Sequence, residues 1–274
     1  MTARIQTWWI ILRICLEERL VYRGDFALGT LMRFLPIVTQ IFLWTAVFQA
    51  ARTGSIEEST GYTANTIIAY YLLTMLSRAF SSMPGLASGI ARQVREGEIK
   101  KFLIQPIDLI GFLLLARIAH KLVYYLVAAA PFAFVFYLCG DYFPPAPDAE
   151  TIAAFCCSLV LAFLLGFFLE ASMGLVSFWF LEVTSLLFVY MLFNFFCSGH
   201  MFPLEILPDP YRTIVDFLPL KYLAYYPAAI YLGRIPPDEL ARGLMIQAGW
   251  VAFFIGLCRY LLRAGYNRYS GYGG

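Results

Sequence analysis

The sequence predicts an all-α polytopic membrane protein with six transmembrane helices. The 274 residues are 61% hydrophobic and only 14% charged, and the mean hydropathy is +0.70. A single soluble core of this size would be overfilled by so much apolar surface, whereas a lipid bilayer accepts it. The apolar residues also form long continuous runs, which favour helices over the short alternating strands of a membrane barrel.

Six stretches lack Asp, Glu, Lys and Arg and approach the roughly 20 apolar residues that a spanning helix needs. They are residues 34–51, 59–77, 122–140, 151–169, 183–204 and 243–258. An earlier apolar patch at residues 8–12 is short and is closed by Arg13, so no cleavable signal peptide is predicted. Insertion is expected to depend on the later spans.

The distribution of basic residues predicts the topology. Lys and Arg concentrate before the first span, between the second and third spans, and after the sixth. The loop between the third and fourth spans carries Asp141, Asp148 and Glu150 and no basic residue. By the positive-inside rule, both termini and the charged connection after the second span belong in the cytosol. The connection before the sixth span, which this topology places outside, departs from the rule by carrying basic residues.

Residues 7–22 predict a helix at the edge of the membrane. Apolar side chains recur there at helical spacing: Trp9, Leu12, Leu16 and Leu20. Arg13 and Glu17 lie together elsewhere on the helical wheel. This pattern is typical of a helix lying on the membrane surface, and a cytosolic helix packed on the protein is the alternative.

The connection between the second and third spans is densely charged. A break signal at residues 81–85 precedes a polar helical stretch, 86–102, and Pro106 then ends it. The charged residues are Arg92, Arg95, Glu96, Glu98, Lys100 and Lys101. A stiff element that joins two spans and carries both signs of charge suits docking by a partner chain, because mixed charges set orientation. A solvated loop that only fixes the topology is the alternative. Residues 92–106 are called the coupling segment below.

Residues 198–233 are too apolar for a free loop and too rich in proline for one span. The five prolines are Pro203, Pro208, Pro210, Pro219 and Pro227. Two short re-entrant helices fit this composition, and broken backbone at membrane depth requires a protein cover or a wet cavity. This stretch is called the re-entrant segment.

Catalytic, metal and nucleotide motifs are missing from the sequence. The two histidines are far apart, there is no HExxH or GxSxG motif, and the absence of a Gly-Lys dipeptide excludes a P-loop. The six cysteines form no CxxC pair and are expected to be buried hydrophobes. The basic residues are scattered, so nucleic acid is not an expected partner. The sequence therefore predicts a non-catalytic chain with no metal site, and any nucleotide must be bound by another chain.

Ionisable residues near the spans are compatible with an alternative function, that of an ion-coupled carrier. Arg33, Arg78, Glu170 and Glu182 lie either at a membrane edge or in a buried relay. One of the two glutamates is expected to mark the cytosolic turn between the fourth and fifth spans, and the other then lies at membrane depth. Pro131 predicts a kink in the third span.

Two stretches resemble one known family. The sequence VREGEIKKFLIQPID at 94–108 resembles the segment after the second span of ABC-2 type transporter permeases, on the residues Arg95, Gly97, Ile99, Leu103 and Pro106. The stretch at 198–233 is similar to the family's broken segment before its last span. The matching residues there are Ser198, Gly199, Phe202, Pro203, Leu204, Pro208, Leu218, Pro219, Tyr222, Pro227 and Gly233.

The resemblance implies the membrane subunit of an ABC exporter in the bacterial plasma (inner) membrane. It implies one transmembrane domain over 1–274, with an interfacial helix at 1–24, six spans within 25–262 and a cytosolic tail at 263–274. Two permeases, identical or homologous, would associate with two copies of an ABC ATPase subunit. ATP and Mg would bind that ATPase, and this chain would bind no cofactor.

The resemblance also assigns roles to residues. The ATPase-coupling residues would be Arg92, Arg95, Glu96, Gly97, Glu98, Lys100, Lys101 and Pro106. The extracytosolic re-entrant gate would comprise Ser198, Gly199, Phe202, Pro203, Pro208, Pro219 and Pro227.

Aromatic residues provide a separate hypothesis about the cargo. A pathway lined by Tyr70, Tyr71, Phe193 and Phe196 would suit an amphipathic or lipid-like molecule, although such aromatic stripes also occur on lipid-facing or core surfaces. Two rival functions remain at the level of sequence. One is an ion-coupled secondary transporter that acts without an ATPase, and the other is a membrane scaffold that transports nothing.

Overall fold

The computed structural model describes residues 2–21, 23–50, 61–180 and 182–269. No strand occurs within these ranges, in agreement with the predicted all-α class. Several predicted features lie outside the described residues: Ala51, residues 59–60, the tail residues 270–274, and the side chains of Leu20 and Arg33.

The described helices follow one another along the chain. They are α1 (Thr2–Val21), α2 (Arg23–Ala50), α3 (Ala64–Ser81), α4 (Leu86–Arg95), α5 (Lys100–Ile104), α6 (Leu109–Leu138), α7 (Ala149–Leu175), α8 (Thr184–Cys197), α9 (Asp209–Phe217), α10 (Tyr225–Tyr231) and α11 (Pro237–Arg268). Single 3₁₀ turns occur at Gly140–Tyr142, Val176–Phe178, Leu204–Ile206 and Pro219–Leu223.

Three of the described helices are long and apolar enough to cross a membrane. They cover Leu109–Leu138, Ala149–Phe178 and Pro237–Arg268. Two shorter apolar helices cover Phe34–Ala50 and Thr184–Cys197. These five helices overlap five of the predicted spans, and α3 occupies the place of the second. The architecture is that of a helical membrane protein.

Local hydrogen bonds fix where the helices begin. Thr63 caps α3, since its hydroxyl accepts the N–H of Thr66 at 3.1 Å while the Thr66 hydroxyl accepts the N–H of Thr63 at 2.8 Å. Asp108 caps α6 by accepting the N–H of Gly111 at 2.7 Å. Helix α6 therefore starts before the charge-free run 122–140 and includes the turns that carry Arg117 and Lys121.

The chain divides into two compact units. The smaller unit comprises Met1–Val47 and Lys101–Asp141, and within it α1 packs on α6. The contact is close at Gly111, where a Cβ atom would lie 2.9 Å from Cη2 of Trp8. On α1, Cys15 is buried, whereas Trp9 is 67% exposed. The helix packs on α6 and still leaves an apolar residue outward. Its position on the membrane surface or in the cytosol stays a prediction.

The larger unit comprises Phe48–Lys100 and Tyr142–Gly274, and α7 is its central helix. Helices α3, α4, α10 and α11 all contact α7. Glycines on α7 allow a close approach of backbones. A Cβ atom at Gly166 would overlap the carbonyl oxygen of Ser81, and one at Gly174 would lie 2.8 Å from the carbonyl oxygen of Ala87.

Candidate functional site

The coupling segment presents its charges to the outside. Helix α4 ends at Arg95, and Gly97 takes a left-handed conformation with φ of +77° before α5 begins at Lys100. The polar helical stretch expected over 86–102 is therefore two helices with a turn at Gly97. The charged side chains of Arg92, Arg95, Glu96, Glu98, Lys100 and Lys101 are all exposed. Val94 and Ile99 are buried, so the segment is held by apolar residues and leaves its charged surface accessible.

Gly97 lies against the far end of the chain. A Cβ atom at this position would lie 3.4 Å from Oη of Tyr269, which directly follows α11. The ring of Tyr269 packs edge-on against Phe178 with centroids 6.1 Å apart. A Cβ atom at Gly265 would lie 2.3 Å from Phe178, so α11 and the end of α7 are in close contact here. The coupling segment is thereby placed next to the ends of two long helices.

An ion pair links the coupling segment to α8. Nη1 of Arg95 lies 3.6 Å from Oε2 of Glu182, and both side chains are more than half exposed. Oε1 of Glu182 accepts the N–H of Thr184, the first residue of α8, at 2.9 Å. Hydrogen bonds from Thr184, and to a smaller extent the charge of Arg95, lower the pKa of Glu182. The carboxylate therefore stays ionised and bridges the two elements.

The two glutamates that bracket residues 171–181 have different environments. Glu182 is exposed in the turn before α8. Glu170 lies inside α7 and is half-buried. Which of the two marks the cytosolic turn stays a prediction.

The remaining part of the coupling segment belongs to the smaller unit. Lys101 and Pro106 are exposed there, whereas Phe102 is buried. The ring of Phe102 lies 5.5 Å from that of Phe112, and Nζ of Lys101 lies 5.4 Å from the ring of Phe102. The exposed surface of this part is mixed, because Leu103 and Ile104 are 46% and 83% exposed beside Lys101.

The re-entrant segment begins with a crowded turn. Gly199 has a φ of +78°, and a Cβ atom there would lie 2.6 Å from Cβ of Tyr225 and 2.7 Å from Oη of Tyr70. The hydroxyl of Tyr70 donates to the carbonyl of Gly199, and that of Tyr71 donates to the carbonyl of Met201 at 2.6 Å. The carbonyl of Ser198 accepts the N–H of Tyr225 at 2.9 Å. Only glycine fits this position.

Glu205 joins three parts of the larger unit. Its Oε2 accepts the hydroxyl of Tyr62, just before α3, at 2.9 Å. Its Oε1 accepts the hydroxyl of Tyr225, at the start of α10, at 2.7 Å. Both tyrosines are buried, with Tyr62 fully inaccessible. Because one carboxyl group accepts both hydroxyls, this group, called the Glu205 cluster, joins the residues just before α3 to the re-entrant segment.

Arg234 extends the same contact. Its guanidinium lies over the ring of Tyr62, 4.0 Å from the centroid, and donates to the carbonyl of Gly61. Arg234 directly follows the re-entrant segment, so its contacts link the end of that segment to Gly61 and Tyr62, just before α3.

The other side of the re-entrant segment is tied to α7 and α11 by a buried amide. Gln247 is fully buried, and its Nε2 donates to the carbonyls of Ser158 at 3.0 Å and Tyr222 at 3.2 Å. The hydroxyl of Ser158 donates to Oε1 of Gln247 at 2.9 Å. Both N–H groups and the oxygen of this amide are thus used, as a buried amide requires.

The predicted gate residues differ in how far they are buried within the protein. Ser198, Pro203, Pro219 and Pro227 are buried, Phe202 is half-buried, and Pro208 is exposed before α9. The two short helices α9 and α10 occur in the stretch where two were predicted. Their re-entrant course through a membrane stays a prediction.

The four aromatic residues predicted to line a pathway lie in two environments. Tyr70 and Tyr71 are 0% and 6% exposed, and their hydroxyls are used in the contacts described above. Phe193 and Phe196 are 57% and 46% exposed on α8. Their common role in a pathway stays a prediction, and the structure gives the two tyrosines a packing role that the sequence analysis did not foresee.

Arg78 lines a small polar pocket between α3 and α8. The other lining residues are Ser81, Ser82, Tyr190, Asn194, Ser198 and Leu223. Arg78 itself is half-buried, which places it between the two predicted alternatives of an exposed edge residue and a buried relay.

Several residues of the site were missed at the level of sequence. Glu205, Tyr62 and Tyr225 were not selected, and neither was Tyr269. A usable signal existed for Glu205, because it lies between Leu204 and Ile206 in an apolar stretch, where a carboxylate needs partners. No pattern in the sequence indicates which hydroxyls would supply them.

The comparison with known families agrees with these features. Residues 34–273 match the model of a family described as ABC-2 family transporter protein. None of the curated proteins matches the sequence. The match covers most of the chain, including the coupling segment and the re-entrant segment. The chain therefore belongs to the ABC-2 family of transporter proteins.

Proposed function

We propose that the chain is the membrane-spanning permease subunit of an ATP-driven exporter. Its six spans would lie in a bacterial plasma membrane with both termini in the cytosol. Two copies of an ABC ATPase subunit would bind on the cytosolic side and would supply ATP, Mg and hydrolysis. A second permease, identical or homologous, would complete the pathway.

The observation that carries this proposal is the geometry of the coupling segment. Its charged side chains are exposed, whereas the side chains of Val94 and Ile99 are buried in the protein. The Arg95–Glu182 pair and the contact between Gly97 and Tyr269 place it beside the ends of α8 and α11. A partner that pushes on the charged surface would therefore act on several helices at once.

The mechanism follows from this arrangement. Binding of ATP would bring the two ATPase subunits together and displace the coupling segments that they hold. The displacement would pass into the attached helices, and the pathway between permeases would open outward. The exposed Phe193 and Phe196 support an amphipathic or lipid-like cargo.

Co-purification tests the proposal directly. The tagged chain, expressed with ABC ATPase subunits from the same genome, is expected to bring down one of them in equal amount. The complex should hydrolyse ATP, whereas the chain alone should not. ATP turnover by the chain alone, free of contaminant, would contradict the proposal, and so would failure to form any complex.

An ion-coupled carrier is the alternative function. The observation in its favour is the small polar pocket lined by Arg78. Uptake of a fluorescent lipid analogue into liposomes that contain the chain without an ATPase, driven by a proton gradient alone, would support this alternative.

A further inference from the structure

The re-entrant segment is bonded to α3 at separate points along its length. Tyr70 donates to Gly199, Tyr71 to Met201 and Tyr62 to Glu205. All three hydroxyl donors come from α3 or from the residues just before it. Because the three acceptors lie at successive positions of the re-entrant segment, sliding or lifting of this segment would break all three bonds together.

Glu205 differs from the two backbone acceptors. It accepts a second hydroxyl, that of Tyr225, which belongs to the returning half of the re-entrant segment. The N–H of Tyr225 is also bonded to the carbonyl of Ser198. One carboxylate thus joins the outgoing half, the returning half and the start of α3.

The same helix leads to the coupling segment. After α3 ends at Ser81, the chain passes through Gly85, with φ of +73°, directly into α4. Helices α3 and α4 both pack on α7. A movement of α4 is therefore transmitted along a continuous chain to α3 and to whatever α3 holds.

We propose that Glu205 is a positioning residue that keeps the re-entrant segment fixed on α3 throughout the transport cycle. The segment then moves as one body with α3, and opening on the outer side takes place elsewhere than between these two elements. This inference deepens the proposed function and rests on it for the source of the movement.

Hydrogen exchange tests the inference without knowledge of the cargo. The full chain with its ATPase, in lipid nanodiscs, is compared free of nucleotide and after trapping with ATP, Mg²⁺ and vanadate. In the wild type, peptides that cover residues 61–72, 198–207 and 219–226 should keep the same exchange rates in both states. Faster exchange of residues 198–207 on trapping would mean that the segment leaves α3, and would overturn the inference.

Variants then test Glu205 itself. In Glu205→Ala, exchange of residues 198–207 should accelerate at least tenfold, and more in the trapped state than in the free state, while ATP hydrolysis changes less than twofold. A purely structural role predicts equal acceleration in both states. Glu205→Gln keeps one acceptor oxygen and should give an intermediate rate. Exchange in Glu205→Ala at the wild-type rate, or accelerated equally in both states, would overturn the inference.

Two further variants complete the test: one is a control for loss of a nearby hydroxyl, and the other replaces Glu205→Ala if that variant does not fold. Tyr226 is a neighbouring phenol that donates to the carbonyl of Leu240 at 3.2 Å, outside the Glu205 cluster. In Tyr226→Phe, the amide hydrogens of residues 198–207 should therefore exchange at the wild-type rate. If Glu205→Ala does not fold, Tyr62→Phe combined with Tyr225→Phe removes only two oxygen atoms and carries the same expectation.

The outcomes separate the two proposals. If no ATPase complex forms, the proposed function fails, while exchange from the chain alone still shows whether Glu205 holds the segment at rest. If the complex forms and hydrolyses ATP but Glu205→Ala exchanges like the wild type, only the inference fails.

Discussion

The hydroxyl of Tyr70 is buried and donates to the carbonyl of Gly199. Tyr70→Phe removes this donor and leaves the carbonyl without it. Hydrogen bonds between elements of membrane proteins contribute about 1 kcal/mol, so a loss of about 2–4 °C in Tm is expected. Thermal unfolding in detergent measures it. Tyr211→Phe, at a side chain that is 62% exposed, is the control and should leave Tm unchanged; equal melting of all three proteins would contradict the role of this bond.

Gly199→Ala combines backbone strain with a steric clash. The left-handed conformation alone costs about 1–2 kcal/mol for a residue with a Cβ atom. At Gly199 that atom would also lie 2.6 Å from Cβ of Tyr225, whereas Gly233 has φ of +66° and nothing within 4 Å. Gly199→Ala should therefore lower the unfolding temperature more than Gly233→Ala does. Equal losses in the two variants would show that the crowding at Gly199 is relieved by small shifts.

At the scale of elements, the exposed charges of the coupling segment predict an effect on coupling. Reversal of Glu96 and Glu98 to Lys should uncouple ATP hydrolysis from transport without loss of membrane insertion, because both side chains are exposed. The measurement is ATP hydrolysis and transport in liposomes that contain the ATPase.

Reversal of the exposed Asp238 and Glu239 at the start of α11 is the matched control. It makes the same change of charge on the side that faces away from the cytosol in the proposed topology, and should leave coupling intact. Normal coupling after reversal of Glu96 and Glu98 would remove the assigned role of these charges.

The Arg95–Glu182 pair gives a second prediction for the same element. An exposed pair contributes less than about 1 kcal/mol to stability, so Arg95→Glu should leave the unfolding temperature nearly unchanged. The variant should nevertheless reduce the degree to which the permease stimulates ATP hydrolysis by the ATPase. The reason is that the introduced carboxylate and that of Glu182 repel each other. The exchange Arg95→Glu with Glu182→Arg should restore this stimulation. A failure of the double variant to recover would indicate that Arg95 acts on the ATPase directly.

Much of the helical layout could be predicted from composition. Charge-free apolar runs located the cores of α6, α7 and α11, since lipid and protein interiors both select apolar residues. The starts of these helices were harder to predict, because a cap such as Asp108 depends on one hydrogen bond to Gly111. The division of 86–102 into two helices depends on the backbone conformation of Gly97, and proximity to Tyr269 could not be inferred from local periodicity.

At the scale of the whole molecule, the proposed topology predicts which lysines are accessible from outside. A membrane-impermeant amine reagent should not label Lys100 or Lys101 in intact cells, and should label both once the membrane is opened. Asp238→Lys, at an exposed position on the opposite side, serves as the positive control. Labelling of Lys100 or Lys101 from outside would place the coupling segment on the wrong side for an ATPase.

The contacts that join distant parts of the chain are the part that sequence reasoning did not reach. Tyr62 and Glu205 are 143 positions apart, and Ser158 and Gln247 are 89 apart. Composition and spacing describe one element at a time, so they indicate that a buried carboxylate or amide needs partners without naming them. The resemblance to a family supplied the location of the two functional segments, and the structure supplied the side chains that hold them.

Helix α8 buries none of its side chains within the described part of the chain. Phe188, Val189, Met191 and Leu192 are all exposed on one side of the helix. The half-buried Tyr190 and Asn194 lie on the other side, where they line the polar pocket beside α3. The two ends are held by the Glu182–Thr184 bond and by the bond from Tyr225 to Ser198. A partner that packs on the exposed apolar side chains therefore leaves the contacts that hold α8 in place intact.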